Sequence, residues 1–230
     1  MLRRANQYFT RQEKILWSVS AGAILLSFFL VGSRDYLTLT ASLLGISSII
    51  VNAKGNPLGQ GMMVIFSLLY GYISYACAYY GEMITYLGMT GPMAALALIS
   101  WLRHPFRGNR AQVQVNRVGR REHVLVLLLT AAVTGGFYFI LRALGTANLA
   151  VSTVSVATSF WAVYMTFRRS PLFSLGYAAN DVVLIVLWTM AAAENRSYLS
   201  VAVCFAAFLA NDIYGFLSWR RMEKKQAQAC

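Results

Sequence analysis

The stretch Phe173–Ala193, FSLGYAANDVVLIVLWTMAAA, decides how the chain is read. It is long and apolar enough to cross a bilayer, which takes about 20 residues. Yet it carries Asn180 and Asp181 near its middle. An ionisable group at membrane depth is costly unless it faces a wet cavity or a partner, so it marks a candidate functional site. On a helix, Tyr177 lies four residues before Asp181 and Trp188 seven after it. The three therefore share one face, with Asn180 at its edge. A second segment, ANDIYGFLSW at Ala210–Trp219, repeats the Asn-Asp pair. There Asn211 sits beside Asp212, and Gly215 and Trp219 follow Asp212 at spacings of three and four. Two carboxylates in two apolar spans could also pair simply to hold helices together, and the residues alone leave both readings open.

Composition sets the class. The 230 residues are 58% hydrophobic and only 12% charged, whereas a soluble domain carries about 25% charged residues. The chain reads as an all-α integral membrane protein. Its net charge of +12 would suggest nucleic acid in a soluble protein. Here the cations cluster between apolar runs, so membrane topology explains them and no nucleic-acid partner is expected. Cys77, Cys204 and Cys230 form no spacing pattern, and His104 and His123 sit in a basic linker, so neither a disulfide framework nor a metal site follows. No small-residue cleavage site follows the first apolar run, which reads as a retained span.

Eight candidate spans are expected, at about 14–32, 36–53, 58–80, 83–102, 122–143, 148–167, 173–193 and 197–219. All connections are short except the basic segment between Arg103 and Arg121, HPFRGNRAQVQVNRVGRR, which reads as a polar loop. With the N-terminus inside, 17 of the 20 Lys and Arg residues fall on the inner side, and only Arg34, Arg142 and Arg196 fall outside. That bias puts both termini in the cytoplasm.

The loops reveal an internal repeat. KGNPLGQ (Lys54–Gln60) precedes one span, and RRSPLFS (Arg168–Ser174) precedes another. The third span of each set ends alike, in ISWLR (Ile99–Arg103) and LSWRR (Leu217–Arg221). Pro57 to Trp101 is 44 residues, and Pro171 to Trp219 is 48. Three spans, one linking span and three more give two repeats of the same orientation, a 3+1+3 parallel arrangement as in the sugar-transporting SWEET fold. The expected organisation is 1–33, N-terminus and extra span; 34–103, first repeat; 104–147, basic loop and linker span; 148–222, second repeat; and 223–230, cytoplasmic tail.

No catalytic constellation is present: no HExxH, no P-loop, no GxGxxG before a helix. An enzyme built on Asp181 and Asp212 lacks anything that positions a water or a metal beside them. A transporter, with polar and aromatic groups near the bilayer midplane at the repeat interface, fits the distribution better. The substrate-binding candidates are Tyr177, Asn180, Asp181, Asn211, Asp212 and Trp188, joined by Gln60 and Ser159. Ser152, Ser155 and Ser159 lie at helical spacing, a pattern that also serves helix packing.

The order and spacing of Lys54-Gly55-Asn56, then Tyr80-Gly81-Glu82, then Pro92 with Trp101 nine residues on, then Gly215 with Trp219 four on, resemble the PnuC family of nicotinamide riboside transporters. The likeness runs from about 36 to 222. It marks Lys54, Asn56, Tyr80, Glu82, Trp101, Gly215 and Trp219 as family-motif or gate residues. It implies a SWEET-like fold, a homotrimer in the bacterial inner membrane, no cofactor, and facilitated diffusion of a phosphate-free nucleoside that a cytosolic kinase traps. The span at 14–32 would be an extra N-terminal helix. The family's paired tryptophans at the start of the penultimate span are Ser174 and Tyr177 here, and an expected Asn is Tyr86. Thiamine, riboflavin or a deoxynucleoside are therefore alternative substrates, and a membrane-embedded enzyme or a scaffold is the alternative class. A reporter fused to either terminus should score cytoplasmic; a signal from the outer side would overturn the orientation.

Overall fold

The computed structural model describes residues 8–30, 35–76, 79–146 and 148–229, the side chain of Ser197 excepted. Arg3, Arg4, Arg34, Cys77 and Cys230, which enter the charge and cysteine arguments above, lie outside the described residues. Among the described residues there are eight helices of 17 residues or more: α1 Arg11–Leu30, α2 Tyr36–Asn52, α3 Leu58–Ala76, α4 Tyr80–Arg103, α5 Arg120–Ala143, α6 Leu149–Phe167, α7 Phe173–Glu194 and α8 Leu199–Ala229. Six of them, α1 and α4 to α8, are long and apolar enough to cross a membrane. That is fewer than the eight spans the sequence suggests. Helix α2 has only 17 residues, and α3 is diluted by Gln60, two serines and three tyrosines.

The helices pack in two groups of three. Within each group α3 lies against α2 and α4, and α7 lies against α6 and α8. The groups meet along two seams, α2 on α8 and α4 on α6. Helix α5 packs on α6 and is otherwise nearly bare, while α1 lies in the angle between α2 and α8. Apolar side chains gather in two buried clusters. One surrounds Phe66, Tyr70, Trp188 and Phe205, and the other surrounds Trp101, Phe173 and Trp219.

One end of the bundle is tied by a reciprocal set of hydrogen bonds. The Trp101 indole donates to the Thr166 carbonyl at 2.9 Å, and the Trp219 indole donates to the Asn52 carbonyl at 2.8 Å. The preceding serines do the same one residue on: Ser100 Oγ donates to Phe167 O and Ser218 Oγ to Ala53 O. The receiving loops also match. Gly55 and Arg169 both take positive φ, at 67° and 56°. Asn56 Oδ1 accepts from Leu58 N, and Ser170 Oγ from Leu172 N. The carbonyls of Gly55 and Arg169 accept from Val113 N and Asn116 N of the central linker. Pro57 and Pro171 open the following helices, where a missing N–H costs nothing.

That linker is not the irregular loop that its polarity suggests. Pro105–Phe106 and Asn109–Val113 form a two-stranded antiparallel hairpin, β1 and β2. Arg107 and Gly108 at its tip both have positive φ, as a two-residue primed turn requires. Helix α8 also runs ten residues past Trp219, because Met222 and Gln226 bury one face of that extension. Gln226 accepts from Val115 N and donates to Val113 O, clamping the helix to the hairpin.

Trp101→Phe and Trp219→Phe each keep a ring but remove the indole bond between the groups, leaving the carbonyl only its local donor, Arg169 N or Gly55 N. Each should cost about 0.5–1.5 kcal/mol. Thermal unfolding in detergent should show both midpoints falling; an unchanged midpoint for either would contradict the tie.

Candidate functional site

Between the two apolar clusters lies a closed cavity, lined by α2, α3, α4, α6, α7 and α8. It gathers Tyr177, Asn180, Asp181, Asp212 and Ser159, five residues that the sequence picks out. The α7 face is as spacing predicts: Tyr177 and Asp181 are one turn apart and both reach the cavity. Asp181 and Asp212 are each 4% exposed, and their carboxyl groups meet across the α7–α8 interface. Asp181 Oδ2 has no hydrogen-bond partner among the described residues. Two carboxyl groups in contact cannot both carry charge cheaply, so a proton or a cationic ligand belongs between them.

Asn180 is oriented from α6. Its Oδ1 accepts from Thr158 Oγ1 at 2.8 Å and from Ser155 Oγ at 3.3 Å. With that oxygen taken, the amide nitrogen is left to donate into the cavity. Glu82 is buried behind this pair, with its carboxyl on Ser155. Tyr80 opens α4 beside Tyr75, away from the cavity.

Three of the candidates fall elsewhere. Asn211 points away from Asp212, since adjacent residues on a helix are about 100° apart. It donates to Ser20 Oγ of α1 and to the Ala207 carbonyl. Trp188 is on the predicted face but two turns further on, where its indole donates to the Tyr70 hydroxyl at 2.7 Å. It belongs to a column of rings with Tyr79 and Tyr198, not to the lining. Gln60 stands behind the wall and donates to Asn52 Oδ1 at 2.9 Å. Lys54 pairs with Glu13, Asn56 caps α3, and Gly215 gives room to Ser174, whose hydroxyl would lie 2.9 Å from an added Cβ.

The lining also holds residues the sequence reading passes over. Asn52 falls near the end of the second expected span, where nothing in the sequence singles it out. It meets the cavity with its side chain while its carbonyl takes the Trp219 bond. Tyr86 and Thr90 arrive from a π-helical stretch, Thr85–Thr90, inside α4. Such widened turns are rare and cluster at functional sites. Tyr86 does fall at a position singled out as a departure from the family pattern, which is the one signal that pointed to it. Phe66, Phe205, Phe208 and Phe173 complete the walls.

Rings close the cavity at both ends. On the hairpin side Phe173 packs edge-on against Trp219, with centroids 4.9 Å apart, and Trp219 lies 5.2 Å from Trp101. On the other side Tyr70 and Tyr86 approach to 4.3 Å, and Trp188 and Tyr79 follow at 4.9 Å from each other. The space left is about 30 Å³, room for a water or two. No cation lines it. Among the described residues no group of three or more His, Cys, Asp or Glu side chains could hold a metal, and Cys204 is a buried free thiol.

Two relatives are named nicotinamide riboside transporter PnuC. The Neisseria mucosa protein is 25% identical over 217 residues, covering 92% of this chain and 82% of the relative. The Haemophilus influenzae protein is 20% identical over 196 residues, covering 83% and 82%. A crystal structure of the vitamin B3 transporter PnuC superposes with a TM-score of 0.83 at 23% identity, covering 95% of this chain and 94% of that one. A family model described as nicotinamide mononucleotide transporter matches residues 35–221, so the chain belongs to that family of membrane transporters.

Proposed function

We propose that this chain is a membrane transporter for a flat, cationic, phosphate-free nucleoside, with nicotinamide riboside the foremost substrate, moving by facilitated diffusion. The observation that carries this reading is the lining of the closed cavity: two carboxyl groups, aromatic faces and no cation. A pyridinium ring is attracted both by carboxylates and by the faces of Tyr177 and Phe173. A phosphate monoester carries about two negative charges, which this lining would repel. The chemistry thus favours the riboside named for the relatives over the mononucleotide named for the family. Thiamine, whose thiazolium is also flat and cationic, is the second reading, supported by Ser174 and Tyr177 at the positions of the family's tryptophans. Riboflavin and deoxynucleosides lack that charge and fit less well.

The closed state fits alternating access. Ligand pockets usually measure about 300–1,000 Å³, so the 30 Å³ found here must expand by moving one ring plug or the other. Trp101 and Trp219 would gate one side, and the Tyr79–Trp188–Tyr198 column the other. The matched loops and reciprocal Ser-Trp bonds support a SWEET-like 3+1+3 parallel repeat: α2–α4 and α6–α8 as repeats, α5 as linker, and α1 as an extra span. On this reading all eight helices cross the bilayer, with bounds near 34–103 for the first repeat and 148–222 for the second. The 17-to-3 distribution of basic residues supports cytoplasmic termini in a bacterial inner membrane. Kinase trapping follows from the same electrostatics, because a phosphorylated product would be rejected by the acidic cavity. A homotrimer is taken from the family resemblance.

Labelled nicotinamide riboside should equilibrate across proteoliposomes without an ion gradient. Its failure to enter while thiamine does would transfer the assignment to the second reading.

Tyr177→Ala should weaken ligand binding by about 1–3 kcal/mol if the ring stacks as aromatic side chains do on bases. Asp181→Asn keeps shape and removes charge, so it should impair a cationic ligand more than a neutral analogue. Titration of the folded, monodisperse variants checks both. Parent-like affinity in both would make these residues structural.

A further inference from the structure

Apart from the closed cavity, a groove of about 740 Å³ opens at the hairpin end. That volume lies in the range of ligand pockets. One wall is a face of α8 carrying Tyr214, Ser218, Arg221, Met222, Lys225 and Gln226. The opposite wall is the hairpin, with Phe106, Asn109 and Gln112. Tyr8, Thr10, Glu13 and Lys54 complete it. The two walls are tied to each other by the two Gln226 bonds to the linker backbone.

The charges in the groove are not all spent. Lys54 Nζ stands 3.1 Å from Glu13 Oε2, and Tyr214 OH donates to Glu13 Oε1 at 3.0 Å, so that carboxylate is already satisfied. Arg221 and Lys225 lie one helical turn apart, and neither is ion-paired among the described residues. The nearby Glu223 is instead engaged by Arg117 and Arg220. Cations on a helix surface often do no more than meet solvent. These two differ in facing a pre-formed cleft that also offers the rings of Tyr8, Phe106 and Tyr214. Two cations suit the charge of a phosphate monoester, and the ring faces suit a flat base.

We propose that this groove is a second binding site, for a phosphorylated ligand that carries a flat ring, of the nucleoside monophosphate class. It also touches the machinery that closes the cavity. Lys54 directly follows Ala53 and Asn52, whose carbonyls receive Ser218 and Trp219, and Ser218 itself lines the groove. On the orientation proposed above, the groove faces the cytoplasm, where phosphorylated product accumulates, and occupancy would hold the Trp219 plug shut.

The test is calorimetric titration of the purified full chain with adenosine monophosphate and nicotinamide mononucleotide, with adenosine as the phosphate-free control. Both nucleotides should bind saturably, and adenosine at least tenfold more weakly. The double variant Arg221→Ala/Lys225→Ala should weaken nucleotide binding at least tenfold while nicotinamide riboside binding stays at the parent level. Absence of nucleotide binding, or equal binding by the double variant, overturns the proposal. So does nucleotide binding in detergent that vanishes in nanodiscs containing phosphatidylglycerol, which would make the groove a lipid-headgroup site. None of these readouts requires transport, so failure of the transport assignment would be seen separately.

Discussion

The structure depends on two indole hydrogen bonds that cross between the helix groups. Each tryptophan reaches from the end of one group to the last carbonyls of the first helix in the other: Trp101 to Thr166, and Trp219 to Asn52. Those carbonyls lie at helix C-termini, where four per helix lack an intrahelical partner. Each of these two also accepts locally, from Arg169 N and Gly55 N, so the indole takes up a second lone pair and the bond serves to join the groups. Because Trp101, Trp219 and Phe173 pack as one cluster, the same contact that closes the bundle also closes the cavity above it.

The carboxyl groups are affordable only because of that enclosure. Asp181 and Asp212 face each other in a space bounded by rings, with Asn180 held by Ser155 and Thr158 beside them. Many buried polar groups in the bundle are absorbed locally. Thr85, Thr130 and Thr166 return their hydroxyls to carbonyls four residues back, and Asn52 is fixed by Gln60 and Ser48. At the cavity, Asp181 Oδ2 has no hydrogen-bond partner among the described residues and is open to a ligand.

Helix α1 is fastened at three levels. Trp17 donates to Ser47 on α2, Ser20 accepts from Asn211 on α8, and Glu13 joins Lys54 and Tyr214 at the hairpin end. Thr10 and Glu13 exchange bonds as a capping box, so the carboxylate is placed by the helix start itself. An exposed ion pair would contribute little. Glu13 is 3% exposed, and Lys54 also lies over the Tyr8 ring, so this one is shielded. Asn211 therefore serves the attachment of α1, and the doubled Asn-Asp dipeptide has two different tasks in its two spans.

The sequence by itself determined the membrane class, the approximate course of the helices as far as Trp219, and the face of α7 that bears Tyr177 and Asp181. Each follows from local periodicity and from the cost of polar groups in lipid, which act on neighbours along the chain. It also marked Ser-Trp and basic-Pro-Leu as recurrent, without revealing that the serines and tryptophans bond the helix ends of the opposite group. Only the tertiary structure decided which polar residues meet. Asn52, Tyr86 and Thr90 reach the cavity through a helix end and a π-helical turn, and neither has a 3.6-residue signature. Trp188, Gln60 and Asn211 have the right chemistry but lie too far along the helix, behind the wall, or turned to α1. The hairpin and the groove beside it arose from one positive-φ turn and from Gln226, a side chain that bonds residues more than a hundred positions away. Periodicity fixes which face of a helix is polar; what that face meets depends on packing between segments distant in sequence.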